Sequence, residues 1–101
     1  MEVPHNWVLL KLPKNQYKVF ALWRGGYLDG DRWKLNSGIL KTWQDSEYYY
    51  FTGYSGSCYK CHKEAYGIRT SYGLSILNEI LEKGKGLVEL MENSENFENI
   101  L

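Results

Sequence analysis

The sequence predicts an α+β domain, with about five short antiparallel strands in meander order followed by one or two C-terminal helices packed on the sheet. In residues 1–69, short runs of β-branched and aromatic residues alternate with turns rich in glycine, proline and asparagine. From Thr70 onward, leucine and isoleucine recur at helical spacing instead. The chain of 101 residues has no internal repeat or linker, so we expect a single domain over residues 1–101.

The first two strands are predicted at residues 6–12 and 16–24, and Pro13-Lys14-Asn15 forms the turn between them. Alternate positions of the second strand form two faces that both contain apolar residues: Tyr17, Val19, Ala21 and Trp23 on one, and Lys18, Phe20, Leu22 and Arg24 on the other. We therefore expect both faces to be covered. The three glycines and two aspartates of residues 25–31 predict a loop.

The remaining strands are predicted at residues 32–42, 47–53 and 57–62, and sequential antiparallel pairing follows from the short connections between them. The third strand is expected to be interrupted near Asn36-Ser37-Gly38, because glycine within a strand pattern indicates a bulge or a close backbone approach. In the fourth strand, Tyr48 and Tyr50 share one face and Tyr49 lies on the other, since side chains alternate along a strand.

The helical part begins at Thr70 or Ser71, either of which can cap a first turn. Its apolar positions recur at intervals of three and four residues: Leu74, Ile76, Leu77, Ile80 and Leu81. Gly84 and Gly86 are expected to end this helix, and residues 87–91 predict a short second helix. Residues 94–101 either add one more turn or fray.

Aromatic residues and charges are distributed unevenly along the chain. Residues 1–70 contain 14 of the 16 aromatic residues and ten Lys and Arg against six Asp and Glu, a net charge of +4. Residues 71–101 contain two Lys against six Glu, a net charge of −4. Rings combined with cations suit stacking on bases or binding of an anionic ligand, whereas an acidic helical segment suits neither.

Several other classes of protein are disfavoured by composition. No apolar run approaches the ~20 residues of a membrane span, and the N-terminal residues do not resemble a signal peptide, so the expected location is cytoplasmic. No Walker loop, Gly-x-Ser-x-Gly elbow or His-Glu-x-x-His motif is present, and the carboxylates are scattered through predicted turns. We therefore predict a non-enzymatic protein without catalytic residues.

The motif Cys58-Tyr59-Lys60-Cys61-His62 has the Cys-x-x-Cys-His spacing of c-type haem attachment. Covalent haem needs an export route that this N-terminus does not indicate, and a structural zinc site usually needs a second, separated pair of ligands. In an extended strand, residues three apart face opposite ways, which disfavours chelation by both cysteines and a Cys–His nucleophile. No metal or cofactor is predicted, and the thiols are expected to be reduced and to pack as small apolar groups.

Polar recognition chemistry is concentrated in two glycine-rich loops, which are predicted to form one pocket. The first comprises residues 24–33 with Asn36 and Ser37, and the second comprises residues 54–66. Glycine exposes backbone N–H groups, serine and asparagine form hydrogen bonds, arginine binds anions, and tryptophan and tyrosine stack on rings. The predicted ligand-binding residues are Trp23, Arg24, Tyr27, Trp33, Asn36, Ser37, Ser55, Ser57, Tyr59, Lys60 and His62.

Three functional hypotheses follow, and the favoured one is a small binding or inhibitor module. It would recognise an anionic, nucleotide-like aromatic ligand or a partner protein through the loop surface. The second is a single-stranded nucleic-acid-binding protein that uses basic and aromatic residues of the sheet; its cations would be Lys11, Lys18, Arg24, Lys34, Lys41 and Lys60. The third is an assembly subunit, and a homo-oligomer is expected in every case.

Overall fold

The computed structural model describes residues 1–92 and Phe97, and of Tyr27 only the backbone. Within these residues, seven strands form two antiparallel sheets, and a long helix lies between the sixth and the seventh strand in the chain. The strands are β1 (Asn6–Leu12), β2 (Gln16–Trp23), β3 (Arg32–Leu35), β4 (Ile39–Gln44), β5 (Tyr48–Gly53), β6 (Cys58–His62) and β7 (Glu89–Leu90). The helices are α1 (Gly26–Asp29) and α2 (Ser71–Lys83), and 3₁₀ turns occupy Pro13–Asn15 and Lys63–Ala65. The α+β class and the antiparallel pairing are confirmed.

Three layers pack on one another, and the sheet in the order β3-β2-β1-β7 lies in the middle. One of its faces packs against the second sheet, β4-β5-β6, in a core that contains Trp7, Val19, Phe51 and Cys61. The other face packs against α2 in a second core. Its buried members are Val8, Leu10, Phe20, Leu22, Ile68 and Leu77. Both faces of β2 are therefore covered, as its alternating apolar residues predict.

The third predicted strand is in fact two strands, β3 and β4, which belong to different sheets. Asn36 lies where the chain leaves the middle sheet: its backbone N–H donates to the carbonyl of Val19 at 3.0 Å, and its side-chain Oδ1 accepts from the N–H of Val19 at 2.8 Å. The side chain thus takes the place of the next backbone group in the ladder. Gly38, with φ of 123°, then redirects the chain into β4.

Helix α2 begins as predicted, because the Thr70 hydroxyl accepts a hydrogen bond from the N–H of Gly73 at 3.0 Å. The predicted second helix over residues 87–91 is wrong. Residues 84–86 turn the chain back so that Glu89 and Leu90 pair with β1, and the N–H of Met91 donates to the Leu9 carbonyl at 3.0 Å. The prediction for residues 94–101 lies outside the described residues apart from Phe97, which is buried.

Two further differences from the predicted topology concern the loop at residues 25–31 and the N-terminus. Residues of the loop form the single-turn helix α1. Glu2 pairs in parallel with Tyr59, since its N–H donates to the Cys58 carbonyl at 2.8 Å and its carbonyl accepts from the N–H of Lys60 at 2.7 Å. The N-terminal segment thereby covers the edge of β6. Neither helix in the described part of the chain is long and apolar enough to cross a membrane.

Candidate functional site

The outer face of the sheet β4-β5-β6 carries a cluster of rings and cations that we call the aromatic platform. Its members are Lys41, Trp43, Tyr48, Tyr50, Lys60 and His62. Alternation along the strands produces this face: Phe51 and Cys61 point into the core and are fully buried, whereas their neighbours point away from it. Helix α2 packs on the far side of the middle sheet, so it does not cover the platform.

The rings of the platform form a continuous row across all three strands. Trp43 and Tyr50 are directly opposite each other on β4 and β5, and their rings are stacked, with centroids 5.3 Å apart and an interplanar angle of 1°. The ring centroids of Tyr48 and Tyr50 are 6.4 Å apart. The ring of His62 on β6 contacts that of Tyr48 edge-on, with centroids 5.0 Å apart. Trp43 remains 38% exposed. A row of partly exposed rings offers flat apolar area for contact with planar ligands.

Two lysines lie over these rings. The Nζ atom of Lys60 is 4.4 Å from the centroid of Tyr48 and 6.0 Å from that of Tyr50, and Nζ of Lys41 is 5.6 Å from the centroid of Trp43. Cation–π attraction holds each ammonium close to the ring surface. Neither lysine forms a salt bridge with a carboxylate of the described residues, whereas Lys34 forms one with Glu2. The two ammonium groups can therefore bind an anionic group of a ligand that stacks on the rings.

Asp45 fixes the turn that leads into β5. Its carboxylate accepts hydrogen bonds from the N–H of Glu47 at 2.8 Å, from the N–H of Tyr48 at 2.7 Å and from the hydroxyl of Tyr50 at 2.7 Å. The bond from the Tyr50 hydroxyl, followed by those from the two N–H groups, lowers the pKa of Asp45. The same bond raises the pKa of Tyr50 from its usual 10.0 to about 12. Asp45 thus anchors the turn and orients the central ring of the platform.

A polar cleft of about 360 Å³ lies at the Tyr48 end of the platform, and we call it the end cleft. It is lined by Ser46, Glu47, His62, Lys63 and Glu64. The N–H of Lys63 donates to the carbonyl of Glu47 at 2.9 Å, which joins the two segments that form it. His62 belongs to both the platform and the cleft, so a ligand on the rings can extend into the cleft.

Of the predicted ligand-binding residues, Lys60 and His62 lie on the platform. Ser37 and Ser55 are brought together, because the N–H of Ser55 donates to the hydroxyl oxygen of Ser37 at 3.0 Å. Ser57 is exposed in the same β5–β6 turn as Ser55. The structure therefore joins the turn around Ser37 to the β5–β6 turn, as one part of the predicted loop pocket requires.

Three other predicted residues lie in the interior: Trp23, Asn36 and Tyr59 are 8%, 4% and 3% exposed. The indole N–H of Trp23 donates to the Val3 carbonyl at 3.0 Å, and Asn36 binds the backbone of Val19. Burial is the main cause that raises the pKa of Tyr59. The indole N–H of Trp23 and the Oδ1 atom of Asn36 thus bind backbone groups of the protein itself. The Tyr59 ring belongs to the core between the sheets.

Trp33 and Arg24 are predicted residues that do not belong to the platform. Trp33 lies on the helix-facing side of the middle sheet, where its ring stacks on Phe20 with centroids 5.6 Å apart. The middle sheet and the core between the two sheets lie between this position and Lys60. Arg24 is exposed after the end of β2, and its backbone N–H donates to Nδ1 of His5 at 2.7 Å. The side chain of Tyr27 lies outside the described part of the structure.

The two cysteines of the Cys-x-x-Cys-His motif lie on opposite faces of β6. Cys58 is half-buried on the outer face, whereas Cys61 is fully buried in the core, and this burial raises the pKa of its thiol. No group of three or more His, Cys, Asp or Glu side chains within residues 1–92 is placed to hold a metal ion. The motif thus contributes one cysteine to each side of the sheet.

Lys41, Trp43, Tyr48 and Tyr50 are platform residues that were not among the predicted ligand-binding residues. The alternation of Tyr48, Tyr49 and Tyr50 is the sequence signal that indicates part of this surface. As that signal predicts, Tyr49 lies on the other face, where its ring is 5.9 Å from that of Trp7. The position of Trp43 opposite Tyr50 depends on strand register, which local sequence does not specify.

The rings of the platform, its two lysines and the adjoining end cleft are the features of this face that can contact a ligand. No protein-family model, no curated protein and no solved structure matches this chain.

Proposed function

We propose that the protein binds single-stranded nucleic acid on the aromatic platform. Bases stack on the rings of Trp43, Tyr50 and Tyr48, and Lys41 and Lys60 bind the phosphates beside them. The observation that supports this proposal is the continuous row of rings with an ammonium group at either side. The row crosses neighbouring strands and therefore offers successive stacking positions to one extended chain.

A single strand fits this surface better than a duplex does. In a duplex the base faces are already stacked on one another, and only the base edges and phosphates are accessible to a protein. The platform lies on a sheet, and the alternation of its strands presents rings outward with two cations among them. Sheets with exposed aromatic residues bind unpaired bases in this way, and each stacked base contributes about 1–3 kcal/mol.

The hypothesis of a small anionic aromatic ligand, or a partner protein, bound by the glycine-rich loops receives less support. Trp23, Asn36 and Tyr59 are buried by the protein itself, and Trp33 faces α2. A mononucleotide would occupy only one position of the row of rings. The small-ligand and inhibitor hypotheses stay predictions, as does the cytoplasmic location.

The predicted homo-oligomer also stays a prediction, and one possible interface is disfavoured. Strand β4 is an edge of its sheet among the described residues. The register shifts between Ile39 and Lys41, and Lys41 is exposed on this strand. A bulge and an exposed lysine both oppose addition of another strand to an edge. The edge is therefore poorly suited to pairing with a second copy.

The proposal is tested by measuring the fluorescence anisotropy of labelled eight-nucleotide RNA and DNA strands of mixed sequence at 50 mM KCl. Tyr48→Ala removes one stacking position and should weaken binding by about 5- to 150-fold, the equivalent of about 1–3 kcal/mol. Tyr72→Ala is the matched control, because Tyr72 is 43% exposed but lies on α2. We expect this control to bind like the wild type.

Absence of binding to both RNA and DNA would contradict the proposal. So would equal affinities of Tyr48→Ala and Tyr72→Ala, provided that circular dichroism shows both to be folded. Competition by a nucleoside monophosphate at the same concentration as the eight-nucleotide strand would instead favour the small-ligand hypothesis. The RNA and DNA strands are compared because stacking and phosphate contacts are available to both.

A further inference from the structure

The end cleft differs chemically from the platform that it adjoins, and the difference indicates what it recognises. Two of its five lining residues, Glu47 and Glu64, carry carboxylates, and both residues are exposed. Carboxylates repel phosphate groups, so the sugar-phosphate chain is disfavoured there. The same carboxylates are strong acceptors for N–H groups. The cleft therefore suits the edge of a base that carries hydrogen-bond donors.

We infer that the end cleft recognises guanine in a single strand bound to the platform; this inference rests on the proposed function. Guanine presents two adjacent donors, N1–H and the N2 amino group, on its Watson–Crick edge. A carboxylate can accept both in a forked arrangement, as it does from arginine. Adenine and cytosine each present one amino group beside an acceptor, and uracil presents one N–H between two acceptors. Guanine is thus the base that satisfies both oxygens of one carboxylate.

His62 supplies a complementary donor at the boundary between platform and cleft. Its Nδ1 accepts a hydrogen bond from the N–H of Glu64 at 3.1 Å, so the neutral ring carries its hydrogen on Nε2. No described residue accepts from that Nε2–H, and guanine O6 and N7 are acceptors. Because the His62 ring also contacts Tyr48 at 5.0 Å, it can contact the same base that stacks at this end of the row.

Lys63 makes the cleft less negative without competing for the base. Its ammonium group donates to the side-chain oxygen of Gln44 and lies 5.0 Å from the ring centroid of Tyr49. Its charge is thus held in place by the protein itself.

The cleft volume of about 360 Å³ lies within the range of ~300–1,000 Å³ that is typical of small-molecule sites.

The test compares octauridylate strands that contain one guanosine, adenosine or cytidine at the fourth position. We expect the guanosine strand to bind about 5- to 150-fold more tightly than the adenosine strand, which is the discrimination typical of one bidentate contact. Inosine in place of guanosine removes only the N2 amino group and should lose most of this preference. 7-Deazaguanosine removes only N7 and should retain most of it. The same series in deoxyuridine strands distinguishes RNA from DNA.

The double variant Glu47→Gln with Glu64→Gln replaces each pair of acceptor oxygens by one acceptor and one donor. We expect it to lose the preference for guanosine, whereas its affinity for octauridylate should be retained or increased, because two charges that repel phosphate are removed. Equal binding of all strands by the wild type, or a guanosine preference that survives the double substitution, would overturn the inference and leave the proposed function standing. Absence of binding to every strand, including octauridylate, would overturn both.

Discussion

In the proposed function, two lysines of the platform provide the phosphate contacts, so the affinity of the protein for a single strand should depend only weakly on salt. For single strands, the slope of log K against log salt is about −0.7 for each neutralised phosphate. Lys41 and Lys60 therefore predict a slope of about −1.4, which is a loss of about sevenfold between 50 and 200 mM salt. Contacts from all six cations proposed from the sequence would give a slope of about −4.2 and a loss of about 300-fold.

Lys60→Gln and Lys41→Gln test this reasoning, since each substitution removes one cation and keeps a polar side chain of similar length. The affinity is measured by fluorescence anisotropy at five KCl concentrations between 50 and 400 mM. Each substitution should make the slope shallower by about 0.7. The matched control is Lys14→Gln, because Lys14 is exposed in the β1–β2 turn of the middle sheet. A wild-type slope steeper than about −3, or an unchanged slope in Lys60→Gln, would refute the assignment of the phosphate contacts.

Two further predictions concern the fold around the platform. Asn36→Ala removes the acceptor for the buried N–H of Val19 and should lower the free energy of unfolding by about 1–3 kcal/mol in urea titration. Ser37→Ala removes only the solvent-exposed hydrogen bond from the N–H of Ser55 and should have a smaller effect, at most about 1 kcal/mol. Equal effects of the two substitutions would contradict the role of Asn36. In a spectrophotometric titration, Tyr50 should ionise near its pKa of about 12, and Asp45→Asn should shift this step toward the usual 10.0. Because the pKa of Tyr50 is raised in the folded state, its hydrogen bond with Asp45 stabilises the protein below about pH 10, and this stabilisation is lost as the pH rises through 12. If Tyr50 still ionises near pH 12 in Asp45→Asn, this reasoning is contradicted.

The elements that local sequence signals specify were predicted from the sequence. Helix α2 depends on the recurrence of leucine and isoleucine and on the Thr70 cap, both of which act within a few residues. The hairpin of β1 and β2 likewise depends on adjacent runs and a short turn. These features require no knowledge of distant contacts, and the structure confirms them.

The wrong predictions, a single third strand and a second helix, concern elements that depend on residues far away in the sequence. The division between β3 and β4 depends on the hydrogen bonds of Asn36 with Val19, which is 17 residues distant. Strand β7 has only two residues, and it forms by pairing with the edge of β1. A short apolar run such as residues 87–91 has no periodicity that would distinguish a strand from a helix.

The candidate site was predicted only in part for the same reason. Lys60 and His62 were predicted because their polar side chains lie in the polar segment of residues 54–66. Trp43 became part of the platform through its pairing with Tyr50, which follows a register shift earlier in β4. Trp23 and Tyr59 combine apolar area with a polar group, so their composition alone does not distinguish a core residue from a ligand-binding one.

The alternation of β5 and β6 has a consequence for how this protein can evolve. Each strand contributes every second residue to the core and the others to its outer face, so the fold and the platform are encoded by interleaved positions of the same short segments. Point substitutions at outward positions can change the chemistry of the platform while the interior stays intact. A single inserted residue within β6 would instead exchange the two sets and place Lys60 in the interior beside Trp7 and Phe51. Diversification of this surface is therefore expected through substitution, with changes in length confined to the turns.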